Sequence, residues 1–261
     1  MLPFYRFAHF KKYDTLLHAI STKITQMPYA FSLALHTGEE ERSIVANRNI
    51  LAKALESSSP LHFIVANQTH SDHIKIIDNS VSRGWKSNLD AIEDCDALIT
   101  NLSNVVLTIL TADCVPILLY DPVQQVVAAV HAGWKGSKAQ IVKKTVRKMI
   151  HTFDTNPTDI QVGIAPSIGA CCYEVGEDVA KYFFDTPLAY KQKEEKYMLN
   201  LPYVNKQQLL ECGVKESHIE MSHICTACNV EHYFSYRKEQ GCSGRFMSMI
   251  ALNYSIKNRT L

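Results

Sequence analysis

Three side chains in this sequence have the donor atoms that soft metals or nucleophilic catalysis require. Each stands where an apolar run gives way to polar residues: His70 in Asn67-Gln-Thr-His-Ser, Cys114 in Thr111-Ala-Asp-Cys, and His131 in Val126-Val-Ala-Ala-Val-His-Ala-Gly-Trp-Lys-Gly. An isolated cysteine or histidine in an apolar run is most often a core residue. A thiol and two imidazoles meeting at one point would instead form a three-ligand zinc centre with its fourth tetrahedral position open, the pattern of catalytic zinc. Cys114 and His131 alone would make a nucleophile with its base. The spacings, 44 residues from His70 to Cys114 and 17 from Cys114 to His131, decide nothing by themselves.

The elements that must position these residues can be read around them. Two apolar runs flank Asp121-Pro122-Val123-Gln124, and Asp-Pro is a turn-initiating pair. A turn symmetric about the Pro122–Val123 bond makes the numbers of facing residues sum to 245, which sets Cys114 opposite His131. Facing Cβ atoms lie roughly 4.5–5.5 Å apart. A loop of odd length or a bulge would move the register by one and send the two side chains to opposite faces.

Enrichment in β-branched and aromatic residues predicts strands over Tyr29–Leu35, Leu61–Ala66, His73–Ile77, Val105–Leu110, Val115–Tyr120, Gln125–Val130, Asp159–Ile164 and Arg245–Tyr254. Helices are expected from Ser137, with Gln140 completing a capping box and Ala139, Val142, Val146, Met149 and Phe153 on one face, and from Asn205 to a stop at Gly213. Two more are expected over Ser43–Glu56 and Glu177–Phe184. The stretches 36–42, 78–90 and 186–196 are expected to be loops. Strands outnumber helices, and several are joined by links too short for a crossover helix, so the expected class is α+β with antiparallel or mixed sheets.

Composition narrows the functions. In 261 residues, 46% are hydrophobic and 20% charged, an ordinary globular balance. A net charge of +1, without a basic stripe interleaved with aromatics, argues against nucleic acid or a membrane surface as partner. No apolar run approaches a membrane span, and the first residues lack the pattern of a signal peptide. Eight cysteines then read as reduced thiols in the cytoplasm. No G-x-G-x-x-G or Walker A sequence supports a dinucleotide or P-loop site.

The ordered motifs NQTHS, CDALIT, TADCVPILLYDP, VAAVHAGWKG, IGACCYEVG, HICT and FSYRKEQGCSGR, spread from about Asn47 to Arg245, resemble the YfiH family of so-called multicopper polyphenol oxidases, also known as laccase domain-containing proteins and peptidoglycan editing factors. The resemblance implies one α+β domain over residues 1–261, with mixed β-sheets flanked by helices, distantly like the cytotoxic necrotizing factor toxins. It implies a zinc site at His70, Cys114 and His131. The activities it implies are phosphorolysis of adenosine, inosine and methylthioadenosine to free base and ribose 1-phosphate, and deamination of adenosine. Copper-dependent phenol oxidation and editing of peptidoglycan precursors are the alternatives. Lys135, Ser71, Ala165, Ala170 and the ending QGCSGR depart from the usual family pattern.

Under the nucleoside reading the partners are a purine nucleoside and inorganic phosphate, acted on by a monomer. Cys114, His131 and Asp113 are the expected catalytic group. Arg48, Arg237 and Arg245 are candidates for a phosphate cradle, because a guanidinium fork matches phosphate. Gln68 and Asp96 are further candidates for substrate contact, Asp96 serving otherwise as an acceptor behind the ligands. Trp134 would stack on a base or plug the core. Copper is acceptable to the same soft donor set, but the chain contains no His-x-His pair. A cysteine amidase using Cys114 and His131 competes directly, since a zinc-bound thiolate is not free to attack carbon. Two motifs remain outside these readings. His223-Ile-Cys225-Thr-Ala-Cys228 with His232 looks like part of a zinc knuckle without a properly spaced fourth ligand, and Cys171-Cys172 reads as a pair of buried thiols near the site.

Overall fold

The computed structural model describes residues 2–241 and 243–253. The chain runs through β1 (Phe4–Tyr5), α1 (Ala8–Lys11), β2 (Leu16–Ser21), α2 (Glu41–Ala54), β3 (His62–Val65), β4 (Ile74–Ile76) and β5 (Ala97–Thr100). It continues through β6 (Val105–Thr111), β7 (Val115–Asp121), β8 (Val126–Ala132), α3 (Trp134–Lys138), α4 (Ile141–Phe153) and β9 (Gln161–Ile164). The last part holds β10 (Glu174–Val175), α5 (Glu177–Ala180), β11 (Tyr190–Lys193), β12 (Lys196–Leu199), α6 (Leu201–Glu211), β13 (Ile219–Met221) and β14 (Phe246–Leu252). This is the α+β class with mixed sheets.

Alternation along the strands builds the layers. In β8, Val126, Ala128, Val130 and Ala132 enter one core with Val142, Val146 and Met149 of α4 and Leu209 of α6, while Val127 and Ala129 enter another. That second core lies between a six-stranded sheet (β13-β9-β7-β8-β5-β4) and a five-stranded sheet (β1-β2-β14-β6-β3). A third core, with Leu51 of α2, Phe31 and Trp85, covers the outer face of the five-stranded sheet. Each Val or Leu fully buried in these layers is worth about 1.5–3 kcal/mol over leaving it in water.

The β7–β8 hairpin carries a correction. Asp121 faces Val126 and Pro116 faces His131, so facing numbers sum to 247 and not 245. The Asp121 carboxylate accepts from Val123 N (2.8 Å) and Gln124 N (3.0 Å), and Gln125 takes a left-handed turn, which places the centre of the loop one bond later than expected. A shift of two keeps the parity: Cys114 and His131 remain on the same face, as diagonal neighbours just past the end of β7.

Other expectations also differ. Tyr29–Leu35 is not a strand: Pro28–Phe31 is a short helical segment with Tyr29, Ala30 and Phe31 at positive φ. The carbonyls there are satisfied by α2 side chains, Asn47 Nδ2 donating to Pro28 and Ser32 and Arg48 Nε to Leu33. Ser137 does not cap a helix; it is buried inside α3 and its Oγ accepts from Asn205 Nδ2 at 2.9 Å, while α6 is capped by Asn200. Gly213, at φ +90, does end α6. The stretch 186–196 holds β11, and β2 and β5, buried on both faces and so without alternation, escaped the sequence reading. Tyr254, at the end of the last expected strand, lies outside the described residues.

Candidate metal centre

Cys114 sits where the chain leaves β6 in one sheet and enters β7 in the other, across the three-residue link Ala112–Cys114. Asp113 takes φ +91 in that link, which turns the thiol back over the end of the hairpin. His131, near the end of β8, is buried on the face between the sheets. His70 comes from the loop after β3, at φ +61, a conformation that histidine tolerates better than most residues. The Nε2 of His70 lies 3.8 Å from Cys114 Sγ, and the two imidazoles meet edge to face at 4.8 Å between centroids. One donor atom from each of His70, Cys114 and His131 lies within 4.8 Å of the others.

Asp96 organises this arrangement. Its Oδ1 lies 2.7 Å from His131 Nδ1, which fixes that nitrogen as the N–H and leaves Nε2 free to face Cys114. The same carboxylate accepts from the backbone N–H of Thr69, His70 and Ser71 and from Ser71 Oγ, and the Asp96 carbonyl accepts from His131 N. One buried carboxylate thus sets the position of both imidazoles. Burial opposes its charge, but His131 and Ser71 hold its pKa far below the usual carboxylate range.

Burial would also raise the Cys114 thiol, yet His131 and His70 outweigh it and bring it down to about 6. Burial would lower His131, but Cys114 and Asp96 raise it to about 9. Without metal the pair is therefore thiolate and imidazolium between those limits. The raised imidazole adds stability that is complete below its ordinary pKa and lost as pH rises through about 9. The lowered thiol adds stability that is complete above its ordinary pKa and lost as pH falls through about 6. Metal-free protein is expected to show thiolate absorbance and rapid alkylation of Cys114 that fall away near pH 6, well below an ordinary cysteine. A titration midpoint above 8 would contradict this electrostatic picture.

The donor set fits a soft divalent metal. Three protein ligands of N, S and N type leave a position open, and a carboxylate stands behind one imidazole. The neighbouring Gly133 has no side chain, and a Cβ there would come within 3.0 Å of the His70 ring and 3.1 Å of Cys114 Sγ. Any side chain here would press on the His70 ring and the Cys114 sulfur, displacing one of them by a few tenths of an ångström.

The remaining expected residues divide. Arg48 is a correction: it is fully buried on the inner face of α2 and donates to the carbonyls of Leu33, Gly84 and Trp85, so it has no access to a substrate. Both ends of the Gln68 amide bond the Leu110 backbone, tying the His70 loop to β6. Asp96 has no exposed surface, and its carboxylate is taken up by His131 and the backbone of the His70 loop. Asp113, expected as catalytic, accepts from Thr226 Oγ1 at 2.6 Å and Arg237 N at 2.7 Å, so both its oxygens hold neighbouring loops. Trp134 lies parallel to Tyr182, with 6.3 Å between centroids, and packs on the outer core. Arg237 is exposed, bonds the Glu174 carbonyl and lies over Tyr173. Partial burial lowers the pKa of Arg245, which is close enough to Cys114, Glu39 and Asp113 to feel their charge.

Two residues near the centre escaped the sequence reading. His36 lies in an expected loop; desolvation and the charges of Arg245, Arg48 and His131 lower its pKa. Tyr173 is pushed up to about 12 by burial and by Cys114. No spacing pointed to His36, whereas Tyr173 follows directly on the Cys171-Cys172 motif.

Fold and site together define an α+β protein with a single His-Cys-His centre at the end of a hairpin between two sheets. The sequence model described as multi-copper polyphenol oxidoreductase laccase matches residues 18–253, and the chain belongs to that family. It is 31% identical to the purine nucleoside phosphorylase YlmD of Bacillus subtilis over 88% of this chain and 84% of that protein. It is 40% identical to a purine nucleoside phosphorylase of Clostridium acetobutylicum over 70% and 74%. The crystal structure of YlmD from Geobacillus stearothermophilus superposes with a TM-score of 0.88 at 28% identity, covering 97% of this chain and all of that one. The Bacillus licheniformis protein YfiH gives 0.87 at 33% identity, covering 93% and 95%. The family and its relatives' names make this chain a purine nucleoside enzyme in the broad sense. Among the described residues no helix is long and apolar enough to cross a membrane.

Proposed function

We propose that this chain is a zinc-dependent purine nucleoside phosphorylase that converts adenosine, inosine and methylthioadenosine to free base and ribose 1-phosphate, and that it also deaminates adenosine. The observation that carries the reading is the convergence of His70, Cys114 and His131 behind a carboxylate that leaves one tetrahedral position open. The relatives' names supply the substrate class. When bound, zinc would supply a Lewis acid at the mouth of the site.

The chain's own residues account for the rest. Phosphorolysis forms a bond from a phosphate oxygen to C1′ as the C1′–N9 bond breaks, and the departing purine takes a proton. Arg237, whose backbone N–H Asp113 accepts, and Arg245, close enough to Asp113 to feel its charge, offer guanidinium groups for phosphate. Burial and the nearby Cys114 keep the Tyr173 hydroxyl protonated, and it would act as the donor to the departing base. Asp113 positions these loops without touching substrate. In deamination, water adds at C6 and ammonia leaves.

Purified, metal-quantified protein incubated with adenosine and phosphate is expected to yield adenine and ribose 1-phosphate, with inosine from deamination. If none of these forms while zinc is bound, the reading fails. One observation favours a second reading: Cys114, His131 and Asp96 also line up as nucleophile, base and orienting acid. A cysteine amidase of this kind would keep its activity after chelation and lose it on alkylation. Copper loaded into the same donors would test the phenol oxidation in the family's description.

We further place the protein in the cytoplasm as a monomeric domain spanning residues 1–261. The described cysteines are all free, and the most exposed apolar side chains, Leu89, Leu188 and Val123, lie on separate turns.

A further inference from the structure

The structure corrects the sequence reading of Cys171-Cys172. These are not buried thiols: Cys171 is exposed and Cys172 half-buried, and both meet the Cys225-Thr-Ala-Cys228 turn. The knuckle that lacked ligands in sequence therefore finds them some fifty residues upstream. Sγ of Cys228 lies 3.5 Å from that of Cys171 and 3.4 Å from that of Cys172, and all four sulfurs lie within 4.8 Å of one another. Zinc–sulfur bonds of about 2.3 Å in a tetrahedron put sulfurs about 3.8 Å apart, whereas a disulfide brings two to about 2.05 Å. The cluster has the spacing of a coordination shell.

Its frame is built in the same sense. Cys172 N and Tyr173 N both donate to Gly169 O, which folds the 169–173 turn, and Asn229 closes the other turn by donating to Cys225 O from both its backbone and its side chain. Gly169 N donates to Cys225 Sγ at 3.3 Å, and Cys228 N points at the same sulfur, the hydrogen bonding that a metal thiolate receives. A Cβ on Gly169 would sit 3.3 Å from Cys225 Cβ and 3.4 Å from Cys171 Sγ, so the two turns meet closely.

We propose that Cys171, Cys172, Cys225 and Cys228 bind a second metal ion, a structural zinc distinct from the His-Cys-His centre. Four thiol protons leave as the ion enters and four sulfur–zinc bonds form, with no change of oxidation state. A closed four-thiolate shell leaves no position for substrate, so the ion serves the fold. It staples the turn after β9 to the segment 225–237. Thr226, between the two downstream ligands, bonds Asp113, and Asp113 adjoins Cys114. The staple therefore fixes the wall of the other centre without taking part in its chemistry, and it holds whatever reaction that centre performs.

Protein purified under reducing conditions is expected to carry about two zinc ions per chain. His70→Asn, which weakens only the other centre, should retain about one. That variant loaded with cobalt should show the strong sulfur-to-cobalt charge-transfer and visible bands of an all-thiolate tetrahedral site. Cys171→Ser/Cys228→Ser should lose that ion, and Cys212→Ser, outside the cluster, should not. Absence of metal from His70→Asn, or a metal-free disulfide among the four cysteines, would overturn the proposal, whereas a single wild-type zinc that His70→Asn retains would support it and leave only the His-Cys-His centre empty; these readouts stand even if the double variant fails to fold.

Discussion

Replacing His70 with asparagine is expected to strip the metal from the His-Cys-His centre and to lower kcat/KM for inosine phosphorolysis roughly 10²–10⁴-fold, the range that several kcal/mol of Lewis-acid stabilisation represents. Asparagine is the apt substitute because His70 has φ +61, where asparagine is comfortable, whereas another side chain would add about 1–2 kcal/mol of left-handed strain. The His70 side chain is exposed, so the fold should lose little. The variant also separates the two chemistries the site can support. Cys114, His131 and Asp96 would remain intact as a nucleophile, base and orienting acid, and an amidase built on them would survive the loss of His70. Zinc content by mass spectrometry, steady-state kinetics and melting temperature on the same preparation decide between them. Unchanged activity in a metal-free variant would sink the zinc reading.

What the sequence disclosed about this centre depended on parity more than on register. The count about Pro122–Val123 was off by two, because the Asp121 carboxylate caps a loop whose centre falls one bond later. A slip of two keeps every side chain on its face, so Cys114 and His131 still meet; a slip of one would have parted them. The helix at α4 was legible because Val142, Val146, Met149 and Phe153 repeat at helical spacing. The segment at Pro28–Phe31 was not, because its apolar residues pack under α2 while Asn47 and Arg48 satisfy its carbonyls, an arrangement that only the tertiary structure supplies. Arg48 misled for the same reason: a guanidinium in sequence looks like a phosphate ligand, and nothing local says that three carbonyls surround it. The contrast between two histidines is instructive. His18 is the ordinary core histidine, accepting from Phe7 N and lowered to about 3 by burial and the nearby Arg6 and Lys11. His131 is as buried but faces a carboxylate and a thiol, and its pKa moves the opposite way. The partners decide what burial does.

Those partners make Asp96 the position whose loss should reach furthest. Asp96→Ala removes the acceptor of His131 Nδ1–H and, in the same stroke, the acceptor for the Thr69, His70 and Ser71 backbone. The first loss frees the imidazole to rotate or to take the wrong tautomer, for which an outer carboxylate typically accounts for 10–100-fold in metal affinity. The second releases the loop carrying His70, so zinc affinity should fall by at least about 100-fold. Stability should fall as well, by about 3–5 kcal/mol, because a buried pair is broken and donors are left without acceptors. Asp96→Asn separates the two effects. Its amide oxygen can still accept from the His70 loop, which keeps much of the stability, but the neutral amide cannot hold a charged imidazole, and its NH2 group competes for the place facing Nδ1. Asp96→Asn is therefore expected to melt closer to wild type than Asp96→Ala while binding zinc nearly as poorly. In metal-free Asp96→Asn the Cys114 thiol should also titrate higher, since the imidazolium that lowers it is no longer supported. If Asp96→Asn binds zinc as wild type does, the carboxylate serves only to hold the loop, and the argument that one residue orients both imidazoles is wrong.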